Sequence, residues 1–104
     1  GGECQRAALA RALVPEPCVL VCDEMTSALD VITQRRVLDL VRGIARERAL
    51  AVLLIAHDLA LVRAYADRVL VMDAGRTVET GPVASVIDRP QSDAARRLRE
   101  ASLD

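Results

Sequence analysis

Lysine is absent from this chain of 104 residues, and all 14 of its Lys or Arg positions are arginine. The absence excludes a phosphate-binding loop of the form G-x-x-x-x-G-K-[ST] within these residues, because that loop places a lysine at the β- and γ-phosphates. The formal net charge of −1 excludes a general electrostatic attraction to nucleic acid.

Aromatic and cysteine side chains are also scarce. Tyr65 is the one aromatic residue, so the core must be built from Val, Leu, Ile and Ala. Cys18 and Cys22 lie four positions apart, about 13 Å along an extended strand, which is too far for a disulfide. With Cys4 as the third cysteine and a single histidine, the sequence disfavours a zinc site and predicts buried, reduced thiols.

Long apolar runs are missing as well. No run approaches the length of a membrane span, although hydrophobic residues make up 52% of the chain and predict a globular fold. There is no signal peptide or lipidation motif. The chain is therefore expected to be cytoplasmic, and docking on a membrane protein stays open.

Short apolar runs alternate with amphipathic stretches along the chain. The pattern predicts, in order, a helix over Glu3–Leu13, a strand over Val19–Cys22, a helix over Asp30–Arg48, a strand over Leu50–Ala56, a helix over Leu59–Tyr65, antiparallel strands over Arg68–Asp73 and Arg76–Thr80, and a helical stretch from Gly81-Pro82 that Pro90 interrupts. In the long helix, Val37, Leu40, Val41 and Ile44 form the predicted apolar face. Continuous apolar strands between helices predict an α/β fold with a mainly parallel sheet.

Charged side chains follow two of the predicted strands. Asp23 and Glu24 end the first strand, and His57 comes directly after the second. Ligands bind beyond the carboxyl ends of strands in open α/β sheets, so these side chains can face one crevice. One carboxylate can serve Mg²⁺ while the other activates a water. For an isolated Asp-Glu pair, solvated acids that cap the next helix are the simpler interpretation.

Four stretches together resemble the C-terminal half of an ATP-binding cassette (ABC) ATPase. They are GGECQRAALARAL, CVLVCDEMTSALD, LLIAHDLALV and ADRVLVMDAGRTVETG, and they occur in the family's order. The resemblance implies part of a P-loop NTPase-like three-layer fold, with a mainly parallel sheet, flanking helices and a C-terminal β-hairpin. It assigns residues 1–90 to the C-terminal part of the ATPase domain and leaves residues 91–104 as a polar C-terminal helix or tail.

The resemblance also implies roles at the start of the chain. Gly1, Gly2, Glu3 and Gln5 stand in a signature motif, which in the family contacts the γ-phosphate held by the opposite subunit. Free N–H groups and the dipole at a helix start suit an anion. Glu3 departs from the glutamine that is common at its position.

The remaining roles come from the other motifs. By resemblance, Asp23 is the Mg²⁺ carboxylate, Glu24 the catalytic base and His57 the switch histidine at the γ-phosphate. Asp30 ends a D-loop that crosses the nucleotide-sandwich dimer, and it is also a candidate N-cap of the long helix. Met25 replaces the family's usual proline after the base.

The family implies ATP and Mg²⁺, a second ATPase subunit and transmembrane permeases at the cytoplasmic face of the membrane. The stretches SALDVITQRRVLDLV and GRTVETGPVASVIDRPQ are most similar to oligopeptide, dipeptide and nickel importers. Since the motifs begin inside the signature and no phosphate loop is present, we expect a fragment that is inactive alone. A cytosolic ABC protein of translation or DNA repair and a non-catalytic remnant remain alternatives.

Overall fold

The structure, a computed structural model, describes residues 2–23 and 31–103, with side chains described over 6–23 and 32–101. Its elements are α1 (Gly2–Leu13), β1 (Val19–Asp23), α2 (Val31–Arg48), β2 (Ala51–Ile55), α3 (Leu59–Tyr65), β3 (Arg68–Asp73), β4 (Arg76–Pro82), α4 (Val83–Asp88) and α5 (Asp93–Leu103). They form two units, residues 1–55 and residues 56–104. The α/β fold predicted from sequence, with a parallel sheet and an antiparallel hairpin, is confirmed.

The first unit is a parallel strand pair covered by two helices. β1 and β2 pair in register from Val19 opposite Ala51 to Asp23 opposite Ile55. Burial alternates along β1, so Leu20 and Cys22 point into the core. There they meet Leu9 and Leu13 of α1, Val37 and Val41 of α2, and Leu50. The opposite sheet face carries Val19, Val21, Leu53 and Ile55, all exposed.

The apolar face of α2 differs from the predicted one at one position. Val37 and Val41 are buried as expected, but the side chain of Leu40 is 42% exposed, whereas that of Leu38 is 4% exposed. Residues 37, 38, 41 and 45 lie within one stripe of a helix with 3.6 residues per turn, and Leu40 lies at its rim. The i, i+3, i+4, i+7 pattern located the buried stripe of α2 but wrongly included Leu40 and omitted Leu38.

The second unit is a β3–β4 hairpin on which α4 and α5 pack, while α3 packs on α4 and α5. Ala74 and Gly75 form its tight turn, both with positive φ (50° and 76°), as in a type I′ hairpin. Val71 of β3 packs with Val86 of α4 and with Ala94 and Ala95 of α5. Aliphatic and alanine side chains thus form this core, as the scarcity of aromatics predicted.

Two cysteines fall within the described side chains. Cys22 is buried, but Cys18 is exposed, so the prediction of buried thiols was wrong for Cys18. Cys18 precedes β1 and lies outside the alternation that turns every second strand residue inward. Burial raises the pKa of the Cys22 thiol, which keeps it protonated and makes it a core residue rather than a nucleophile.

Among the described residues, no helix is long and apolar enough to span a membrane.

Candidate functional site

Asp23 is the last residue of β1 and lies at the carboxyl end of the parallel strand pair. Its register partner is Ile55, the last residue of β2. The odd-numbered residues of β1 lie on the uncovered sheet face, and the side chain of Asp23 is accordingly exposed. The first unit therefore presents a carboxylate to solvent at the strand ends, where ligands of open α/β sheets bind.

The orientation of α1 places its first turn at the same end of the first unit. Leu13, the last residue of α1, lines a cavity with Pro17 and Leu50, which precede the two strands. Ala8 and Ala12 instead line a second cavity of about 130 Å³ with residues 20–23 of β1. The helix thus runs antiparallel to β1, with its N-terminus toward the carboxyl end of the strand. Gly2, Glu3 and Gln5 lie in this N-terminal part of α1.

The second unit positions His57 at the start of a capped helix. Asp58 is the N-cap of α3, and its carboxylate accepts a hydrogen bond of 2.9 Å from the backbone N–H of Ala60. The backbone carbonyl of Asp58 also accepts a hydrogen bond of 3.1 Å from the N–H of Val62. His57 directly precedes this cap and is exposed. The cap fixes the backbone next to the imidazole. It was not assigned from the sequence, although an aspartate directly before an apolar helix is the signal for such a cap.

Three predicted site residues lie outside the described part of the chain. They are Gly1, Glu24 and Asp30, so their roles stay predictions. The side chains of Glu3 and Gln5 are likewise not described. Of the predicted chemical groups, the structure places the Asp23 carboxylate in the first unit and the His57 imidazole in the second.

The described residues suit a magnesium ion better than a closed metal cage. Over residues 6–23 and 32–101, no three His, Cys, Asp or Glu side chains gather into a metal site. Mg²⁺ keeps several waters and is bound by one or two carboxylates together with substrate phosphates. The Asp23 carboxylate, exposed at a strand end, is an oxygen ligand of the type that such a cation takes from a protein.

Solved structures share this fold. CbiO1 of Clostridium perfringens, part of the ABC transporter complex cbiONQ, superposes with a TM-score of 0.79 at 33% identity, over 85% of this chain and 35% of that one. A bacterial Atm1-family ABC exporter with ATP bound superposes with a TM-score of 0.82 at 34% identity, over 100% of this chain and 18% of that one. This chain belongs to the ABC ATPase family.

Sequence comparison places the ABC ATPase chain beside curated importer subunits. It is 52% identical over 105 residues to the methionine import ATP-binding protein MetN of Caulobacter vibrioides, a match that covers 100% of the chain and 32% of that protein. The chain spans about three tenths of the length of the curated relatives it matches. No protein-family model matches it. The predicted family is confirmed, while the peptide or nickel specificity is not.

Proposed function

We propose that this ABC ATPase chain is part of a subunit that binds and hydrolyses ATP to drive import across a membrane. The observation that carries the proposal is its 52% identity, over its whole length, to an import ATP-binding protein. The subunit works beside a second ATPase subunit and transmembrane permeases, at the cytoplasmic face of the membrane. No described helix supplies a membrane span of its own.

The cargo we propose is methionine or a similar amino acid, rather than a peptide or nickel. The support is that several relatives, at 44–52% identity, are methionine import ATP-binding proteins. This proposal keeps the resemblance to importers that was seen in SALDVITQRRVLDLV and GRTVETGPVASVIDRPQ. It replaces only the predicted cargo.

The carboxylates have separate roles on the bound nucleotide. Asp23 would hold magnesium, and the bound cation would supply positive charge against the phosphates. Glu24 follows Asp23 directly and orients and deprotonates the attacking water, the role of a positioned general base. The sequence pattern predicts that both carboxylates end one strand, and adjacent strand residues point to opposite sides, so the two can serve different partners. The exposed strand-end position of Asp23 supports this division.

His57 donates a hydrogen bond to the γ-phosphate, so this contact exists only while ATP is bound. Two features support the role: His57 follows the last residue of β2 by two positions, and the Asp58 cap fixes the backbone next to it. Phosphoryl transfer is catalysed mainly by positioning and charge stabilisation, which a held imidazole supplies.

The start of the chain and Asp30 serve the dimer rather than the chain's own nucleotide. Gly1, Gly2, Glu3 and Gln5 present the N-terminus of α1 to the γ-phosphate of the opposite subunit, since free N–H groups at a helix start bind anions. Asp30 contacts the opposite subunit from the D-loop and caps α2. The direction of α1, whose N-terminus lies toward the carboxyl end of β1, supports the first role.

Glu24→Gln tests the assignment in a subunit of the relatives' length that contains this chain. We expect ATP hydrolysis to fall by about 10²-fold or more, because the amide cannot accept the water's proton, while ATP stays bound. The measurements are phosphate release and equilibrium binding of radiolabelled ATP. Glu47→Gln, an equal change on the exposed surface of α2, is the matched control and should keep full activity. Unchanged hydrolysis in the Glu24 variant would remove Glu24 from the role of base.

A further inference from the structure

The cavity lined by Leu13, Pro17 and Leu50 lies at the opposite end of the first unit from Asp23. Its volume is about 470 Å³, and it is lined by Leu13, Glu16, Pro17, Arg48 and Leu50. We refer to these five residues as the strand-start pocket, because they precede β1 and β2. Five strand residues at about 3.3 Å each separate it from the carboxyl end of β1. It therefore does not overlap the proposed nucleotide site.

Two helix-ending turns shape the walls of the strand-start pocket. Glu16 has a left-handed backbone (φ 53°), and its N–H donates to the carbonyl of Leu13 at 3.0 Å. Ala49 also has a left-handed backbone (φ 52°), and the next N–H, of Leu50, donates to the carbonyl of Ala45 at 2.8 Å. The backbone next to Glu16 and Arg48 is thus held by hydrogen bonds, which favours a preformed site.

The charges of the pocket are one carboxylate and one guanidinium. Among the contacts of the described residues, no ion pair joins Glu16 to Arg48, so the two groups are not within salt-bridge distance of each other. Helices α1 and α2 both end beside the strand-start pocket, and the C-terminus of a helix attracts positive charge. The side of the pocket near Glu16 therefore favours a cation, and Arg48 offers a paired donor for a carboxylate.

The remaining walls are apolar. Leu13 and Leu50 are core residues whose exposed edges reach the pocket, and Pro17 is half-buried beside them. The volume falls within the roughly 300–1,000 Å³ that is usual for small-molecule sites. Leu13, Pro17 and Leu50 offer an apolar surface beside a carboxylate and a guanidinium, which matches a small molecule with both charges and an apolar side chain.

We propose that the strand-start pocket binds a free α-amino acid with an apolar side chain. The ligand's ammonium group donates to the Glu16 carboxylate, and its carboxylate accepts from the Arg48 guanidinium. Its side chain packs on Leu13, Pro17 and Leu50. The site is separate from the proposed nucleotide site, so each of the two proposals can fail alone.

Ligand analogues test the charge requirement. L-leucine is titrated into the ¹⁵N-labelled 104-residue chain, and the amide shifts of Leu13, Val14, Glu16 and residues 48–50 are followed by NMR. N-acetyl-L-leucine lacks the ammonium charge and L-leucinamide lacks the carboxylate, so each should bind at least about tenfold more weakly. Saturable shifts at these residues with that ranking support the site. Absence of saturation, or equal binding of all three compounds, overturns it.

Substitutions test the two partners separately. Glu16→Gln and Arg48→Gln should each weaken L-leucine binding by at least about tenfold, since each removes one charged partner. Glu47→Gln and Arg46→Gln change the same side-chain types on exposed positions outside the pocket and should leave binding unchanged. Both pocket positions are exposed, and neither variant removes core volume. Equal affinity in pocket and control variants contradicts the proposal.

Discussion

Ala49 ends α2 in a conformation that alanine rarely adopts. Its φ is 52°, and the N–H of Leu50 closes back onto the carbonyl of Ala45 at 2.8 Å. This is the pattern of a Schellman motif, in which glycine is usual at the left-handed position. The hydrophobic contact that accompanies the motif is present too, because Leu50 packs in the same cluster as Ile44 and Ala45.

We expect Ala49→Gly to stabilise the chain by about 1 kcal/mol, because glycine removes the steric cost of the left-handed backbone. Urea unfolding followed by far-UV circular dichroism measures the change. Ala51→Gly, two residues later at the start of β2, is the control and should destabilise, since glycine loses more conformational entropy on folding than alanine. A lower free energy of unfolding for the Ala49 variant would contradict the assignment of the turn.

Helix α5 shows how polar contacts fix an element in the second unit. The Glu79 carboxylate of β4 accepts hydrogen bonds from the backbone N–H of Ser92 at 2.8 Å, from the Ser92 hydroxyl at 2.7 Å and from the N–H of Gln91 at 3.1 Å. The Ser92 hydroxyl in turn accepts the N–H of Ala95 at 3.1 Å and so caps the helix. These bonds, first those from the Ser92 backbone and hydroxyl, hold the pKa of Glu79 below its ordinary value of 4.5.

The lowered pKa of Glu79 makes the anchoring of α5 dependent on pH. Because the folded pKa lies below the unfolded one, the stabilisation is complete well above pH 4.5 and is lost as the pH falls through the lower folded value. Glu79→Gln should reduce the melting temperature at pH 7 and flatten the loss of stability on acidification. Glu100→Gln, an exposed change on α5 itself, should keep the parent profile. Parallel pH profiles for the Glu79 variant and its parent would exclude this role.

Sequence patterns predicted the bounds of helices and strands better than which of their side chains are buried. The bounds of α3 and β3 match the prediction, because both elements are bounded by short polar or turn-forming pairs. These pairs are His57-Asp58, Ala66-Asp67 and Ala74-Gly75. The exposure of Leu40 and Cys18 was missed, since burial depends on which neighbours an element meets and not on its own periodicity. The cluster around Glu79 had no sequence signal, because it joins residues 12 or 13 positions apart through tertiary packing.

At the scale of the whole molecule, the motifs predicted the family and the α/β fold. Apolar runs ending in charged residues located both strand ends, and the structure places Asp23 at one of them. Two features lay beyond the sequence: the division into two units, and the exposed apolar face of Val19, Val21, Leu53 and Ile55 in the first. The strand-start pocket was also missed, since it depends on two helix ends meeting.

The central claim is that Asp23, Glu24 and His57 act on one magnesium-bound nucleotide. The direct measurement uses the Glu24→Gln subunit of the relatives' length, with Mn²⁺ replacing Mg²⁺ and the His57 ring followed by NMR. We predict that Mn²⁺-ATP broadens the His57 signals strongly and that Asp23→Asn, which weakens cation binding, reduces the effect. Unbroadened His57 signals in a subunit shown to hold Mn²⁺-ATP would contradict the claim.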